Sequence, residues 1–137
     1  YQMPVASAQI KSCLLLAGLW SEGTTTVTQP EVSRDHTERM LSAFGYDVSV
    51  DGNRISVEGG GKLTAGDIAV PADISSAAFF MVAAAISQGS ELTLSQVGIN
   101  PTRTGVIDIL KLMNVDISLS NETHVGGEPV AYITIRS

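Results

Sequence analysis

The sequence predicts an α/β (α+β) chain made of two repeated units. Three observations carry this. Ser12 to Thr28, "SCLLLAGLWSEGTTTVT", resembles "AAFFMVAAAISQGSELT", and the helix-ending pair Glu22-Gly23 matches Gln88-Gly89 at an offset of 66. "GYDVSV" then lies over "NVDISL", Asp47 on Asp116, at an offset of 69. Finally, apolar runs of helical length alternate with short β-branched runs in both halves, the pattern of repeated supersecondary modules. The change of offset puts about three extra residues in the second unit, most simply in the loop around "VGINPTRT".

Each unit opens with a helix, Ser7 to Trp20 and Ser75 to Ser87, stopped by a glycine. Strands are predicted at Thr24 to Thr28 and Glu91 to Ser95, where β-branched residues alternate. A second helix runs from Asp35 to Phe44, with Met40, Leu41 and Phe44 on one face and Asp35 and Glu38 spaced as a capping box. Its counterpart runs from Thr104 to Met113, with Val106, Ile107, Leu110 and Met113 at helical spacing. Paired strands close each unit. "YDVSV" and "RISVEG" flank Asp51-Gly52, a hairpin signal, and "VDISLS" and "AYITIR" flank a longer loop in which "HVGGEP" reads as a turn. Between the units, "DIAV" reads as a strand and Pro71 as a boundary, giving units at 1–70 and 74–137 joined by a crossing segment at 71–73.

The 137 residues include 44% hydrophobic and 16% charged, enough to bury a core. A net charge of −6 argues against nucleic-acid or membrane-surface binding, which needs a basic patch. No apolar run is long enough to span a bilayer. The start, "YQMPVASAQ", lacks a basic leader and an initiator Met, so the expectation is a cytoplasmic protein and a chain beginning inside a larger one. The single Cys13 excludes an internal disulfide and, in its apolar run, is expected in the core. There is no P-loop, no GxGxxG after a strand and no zinc spacing, so no metal or cofactor is expected.

Four stretches remain as anion-site candidates. In "PVASAQIKS", Ser7 caps a helix whose first turn offers backbone N–H groups, the Gln9 amide and the close approach that Ala8 allows. In "EVSRDHTERML", Arg34 precedes a helix, suited to bidentate contact with an anion; His36 beside Asp35 makes no triad, since no activated Ser or Cys is marked. "PADISSAAFF", with Asp73, Ser75 and Ser76, repeats the first pattern, and "VGINPTRTG" repeats the second, with Arg103 for Arg34. Taken singly, each is equally an ordinary cap or loop.

Together, "PVASAQIKSCLLLAGL", "SRDHTERML", "DISSAAFF" and "VGINPTRTG", in this order, closely resemble the EPSP synthase family, the 3-phosphoshikimate 1-carboxyvinyltransferases. The resemblance covers nearly the whole chain, which looks like the middle third of such an enzyme. It implies βαβαββ units of the family's inside-out barrel fold, the last of one lobe (1–70) and the first of the other (74–137), with the first helix of each unit buried. It implies transfer of the enolpyruvyl group of phosphoenolpyruvate to the 5-hydroxyl of shikimate 3-phosphate, through a tetrahedral intermediate and without a cofactor. Ser7, Ala8, Gln9 and Arg34 match positions that bind shikimate 3-phosphate; Gln9 also reaches phosphoenolpyruvate. The family's catalytic Asp and Lys and its phosphoenolpyruvate-binding arginines have no match here. No catalytic residue is therefore assigned, Asp73, Asp108 and Glu128 included, and the chain alone is expected to be inactive. The parent is expected to be monomeric. The alternatives are the sister enzyme acting on UDP-N-acetylglucosamine, disfavoured by "SRDHTERML" and "NPTRTG", and a non-catalytic anion-binding module.

Overall fold

The computed structural model describes residues 1–137, which divide into two compact units, Tyr1–Asp67 and Ile68–Ser137. The first contains α1 (Ala8–Gly18), β1 (Thr24–Thr28), α2 (His36–Ala43), β2 (Val48–Asp51) and β3 (Arg54–Glu58). The second repeats the order with α3 (Ile74–Ile86), β4 (Glu91–Gly98), α4 (Gly105–Leu112), β5 (Asp116–Val125) and β6 (Glu128–Arg136). The sheets have the same antiparallel topology, β1-β3-β2 and β4-β6-β5. A single parallel bridge precedes the first helix of each unit, Gln2 to Thr28 and Ala72 to Val97. Each unit is thus βαβαββ with its first strand reduced to one bridged residue, as the α/β repeat reading expects.

In each unit the helix that opens it packs on the sheet. Lys11, Leu15 and Gly18 of α1 face inward at helical spacing, and Leu15 joins Met3, Val27, Leu41, Tyr46, Ile55 and Val57 in one core. In the other unit Ile74, Ala77, Met81 and Ala84 of α3 meet Val97, Ile107, Leu110, Ile133 and Ile135. These helices are apolar all round, yet only one face is covered: Leu16 of α1 and Phe79, Phe80 and Ile86 of α3 stay exposed, Phe79 at 80%. Cys13 is exposed too, contrary to the core position expected from its apolar run. It lies two residues from both Lys11 and Leu15, a rotation of about 200° from the buried stripe at about 100° per residue.

Several local expectations shift. Gly23 and Gly89 turn the chain toward the strands, while the helices end earlier, at Gly18 and Ile86. "DIAV" forms no strand; residues 61–71 find no ladder partner. The expected long loop between β5 and β6 is instead ladder, paired as far as Val125 with Glu128 across Gly126-Gly127. The three extra residues lie before "VGINPTRT", not within it. Gly23 and Gly89 are 66 apart, but the bridged residues Thr28 and Val97 are already 69 apart, with a bulge between Leu94 and Val97. The bulge takes up one of the three extra residues, three steps along β4 facing two along β6, and the others lengthen β4 beyond β1.

Gly59 fixes how β3 leaves the first sheet. Its N–H donates to the Gly23 carbonyl at 2.9 Å, and a Cβ there would lie 1.9 Å from the Ser21 carbonyl oxygen. Backbone cannot swing aside as a flexible side chain can. Gly59→Ala should therefore destabilise by about 1–3 kcal/mol, read as a lower Tm. Gly66→Ala, with nothing within 4 Å, is the control and should stay within about 0.5 kcal/mol of wild type.

Candidate functional site

α1 starts because Ser7 is extended (φ −148°, ψ 113°) and its Oγ accepts the Ile10 N–H at 3.3 Å. The first N–H groups of a helix have no partner within it. With Ile10 satisfied by Ser7, the Ala8 and Gln9 amides point out from a neutral cap. Gln9 is exposed, and its Oε1 accepts from Ser7 Oγ at the long distance of 3.5 Å. No acidic residue stands in this first turn, so nothing offsets the positive end of the helix.

Arg34 lies in the irregular segment before α2. It is half-buried, its guanidinium makes no ion pair, and its backbone carbonyl accepts Lys11 Nζ at 2.8 Å. Lys11 is one turn along α1 from Ser7. Its side chain is 0% exposed, and Nζ also contacts Glu38 Oε1 at 2.5 Å. Ser12 Oγ and Thr37 Oγ1, 2.6 Å apart, make a second link between α1 and α2. The structure therefore ties the helix that begins at "SAQIKS" to the "SRDHTE" segment, through Lys11 to the Arg34 backbone and Glu38 and through Ser12 to Thr37.

The capping box expected of Asp35 and Glu38 does not form. Asp35 makes no side-chain cap bond and pairs with Arg39 Nε at 2.9 Å, while Glu38 is turned inward toward the Lys11 ammonium. A buried positive charge attracts a carboxylate more strongly than an exposed backbone N–H does. His36 is exposed at the first position of α2.

The second unit repeats the geometry and inverts the charge. Asp73 caps α3, accepting the Ser75 and Ser76 amides at 3.1 and 3.3 Å and the Ser76 hydroxyl at 3.1 Å. Arg103 donates to Ser75 Oγ and lies 3.7 Å from Asp73 Oδ1. An acidic side chain already holds this helix start, and the nearby guanidinium is engaged with it. Here the plain capping reading prevails, and an added anion would meet like charge. The "VGINPTRTG" stretch is a loop built on Asn100, whose buried Oδ1 accepts both the Thr102 N–H and its hydroxyl. The equivalent device in the first unit is Gln29, whose Oε1 accepts the Ser33 N–H and hydroxyl.

Lys11, Glu38 and Gln29 are the residues that reading the sequence missed. The available signal was Lys11 itself, a lone cation within an apolar helical run, with a carboxylate, Glu38, on the next helix. No group of three or more His, Cys, Asp or Glu side chains is placed to hold a metal, and no helix is long and apolar enough to cross a membrane.

The EPSP synthase (3-phosphoshikimate 1-carboxyvinyltransferase) family model matches residues 1–136. This chain belongs to the EPSP synthase family. It is 63% identical over 137 residues to the 3-phosphoshikimate 1-carboxyvinyltransferase of Alkalilimnicola ehrlichii and 65% over 136 residues to that of Methylococcus capsulatus. These alignments cover 100% and 99% of the chain but 31% of each relative. A solved EPSP synthase from Acinetobacter baumannii superposes with a TM-score of 0.94 at 64% identity, over 99% of this chain and 31% of that one. The chain thus spans about a third of the length of its EPSP synthase relatives.

Hydrogen bonds from the Ser75 amide, aided by the Ser76 hydroxyl and amide and opposed by slight burial, hold the Asp73 carboxyl below its ordinary pKa. A lowered folded-state pKa stabilises above the unfolded-state value and ceases to as pH falls through the folded one. Asp73→Ala should cost about 1 kcal/mol at pH 7. The gap from wild type should close below the ordinary carboxylate range, as followed by urea unfolding at stepped pH. A gap that stays constant to acid pH would assign the loss to something other than the charged cap.

Proposed function

We propose that this chain is the part of an enolpyruvyl transferase that holds the phosphorylated acceptor, shikimate 3-phosphate. One observation carries the reading: a positive helix end with a neutral cap (Ser7, Ala8, Gln9) and the backbone of Arg34, whose guanidinium makes no ion pair, are tied together through Lys11 in one unit. An anion there would meet two backbone N–H groups, a hydroxyl, a side-chain amide and a full positive charge. The backbone N–H groups and the Ser7 hydroxyl are held before the ligand arrives, the preorganisation that favours charge developing in a transition state. Gln9, exposed at the edge, is the residue we place nearest the incoming phosphoenolpyruvate.

The reaction follows from the family. The 5-hydroxyl of the acceptor adds to C2 of phosphoenolpyruvate, the carbon that bears the phosphate ester, while the methylene carbon takes up a proton; the tetrahedral adduct then loses phosphate from C2 and a proton from the new methyl group, leaving the enol ether. The proton transfers this needs are assigned to parts of the parent enzyme beyond this chain. The half-covered apolar helices support a parent of that kind, since α1 and α3 each present a face suited to further packing. In that parent we place residues 1–70 and 74–137 in different lobes, joined through 71–73, and the enzyme in the cytoplasm.

The test is phosphate release from phosphoenolpyruvate by the full-length enzyme, with shikimate 3-phosphate or UDP-N-acetylglucosamine as acceptor. Release should require shikimate 3-phosphate. Arg34→Ala should raise its KM about 30-fold, the worth of a charge-assisted hydrogen bond of about 2 kcal/mol, and Gln9→Ala should depress kcat as well. Release with the nucleotide sugar would move the protein to the sister activity. No release with either acceptor would leave a non-catalytic anion-binding module.

A further inference from the structure

We propose that Lys11 and Glu38 are positioning residues for the phosphate-binding guanidinium of Arg34, an inference that rests on the function proposed above. Lys11 Nζ, 0% exposed, donates to the Arg34 carbonyl at 2.8 Å and is held by Glu38 Oε1 at 2.5 Å. The other carboxylate oxygen, Glu38 Oε2, is buried without a hydrogen-bond partner, so all of Glu38's bonding goes to this one ammonium. Arg34 itself sits in irregular chain, where no ladder or helical hydrogen bond fixes its backbone. Lys11 belongs to the same helical stretch as Ser7, Ala8 and Gln9. The ammonium therefore ties the base of the Arg34 side chain to the helix end that would bind the rest of the anion.

A tether of this kind acts through geometry. Binding sites lose affinity steeply when a charged donor is misplaced by about an ångström. A pair of apolar side chains could fill the same volume, and replacing both partners of a buried ion pair by hydrophobic residues is often neutral or stabilising. What they could not do is hold the Arg34 carbonyl. Stability and ligand affinity should therefore separate in a double substitution.

The experiment uses the full-length enzyme carrying Lys11→Met and Glu38→Met together, alone and combined with Arg34→Ala. Shikimate 3-phosphate affinity is measured by calorimetric titration, phosphoenolpyruvate KM by phosphate release, and folding by Tm. The expected result is a Tm within a few degrees of wild type and a Kd for shikimate 3-phosphate raised about tenfold. The phosphoenolpyruvate KM should stay within about twofold, and adding the double substitution to Arg34→Ala should cause little further loss, since coupled sites are not additive. An unchanged Kd in the folded double variant would overturn the proposal, as would a loss that adds in full to that of Arg34→Ala. A double variant that cannot fold would overturn it too, by making the pair a support of the fold. If Arg34→Ala alone leaves the affinity unchanged, the shikimate 3-phosphate reading of Arg34 fails first and takes the tether with it.

Discussion

One ammonium group, closed off from water, sets the terms for the first unit. Lys11 lies on the buried stripe of α1 with Leu15 and Gly18, fully closed off, where an unpaired charge would cost several kcal/mol. Its presence forces everything near it to answer. A carboxylate must be turned inward, so α2 gives up its capping box. A carbonyl must be brought within reach, so the segment before α2 lies against α1. Once those two demands are met, the backbone at Arg34 is tied to α1 one turn from its start, a by-product of satisfying a buried cation.

The second unit shows what the same architecture does without that demand. Met81 of α3 is as buried as Lys11, and the core there is wholly apolar. Its helix start carries Asp73 instead of Ser7, and its arginine is taken up locally. Repetition of fold has not brought repetition of the polar contacts at the helix start. The difference rests on a few polar side chains: a neutral cap against an acidic one, a free guanidinium against an engaged one, and a lysine tether present in one unit only. The sheets, hairpins and helix order are common to both.

Much of this was legible in the sequence, and the part that was not has a physical cause. Helix and strand identities follow from periodicity and β-branched runs, which is why Thr24–Thr28 and the Asp51-Gly52 turn region are where the residues put them. Cys13 was misplaced because a uniformly apolar helix does not declare which stripe faces the sheet. The extra residues were assigned to a loop because a longer strand with a bulge, such as β4 with its irregularity between Leu94 and Val97, leaves no compositional mark. The βαβαββ pattern hid its first strand, since one bridged residue at Gln2 or Ala72 has no periodicity to detect. At the candidate site, Ser7, Gln9 and Arg34 stood out by type, while Lys11 and Glu38 did not. Their importance lies in a contact between two helices 27 positions apart, which only the folded chain displays.

The uncovered side of α3 bears on how such a chain comes into being during synthesis. The sheet and core of each unit are made from about seventy consecutive residues, so each can close soon after it leaves the ribosome. Phe79, Phe80 and Ile86 are not protected by that closure. For as long as they wait for a cover from outside their own unit, they offer an apolar surface of the kind that nascent-chain chaperones seize and that drives aggregation. The hazard in making this protein then lies with that exposed face after each unit has closed, and not with the closing of the sheets and cores themselves.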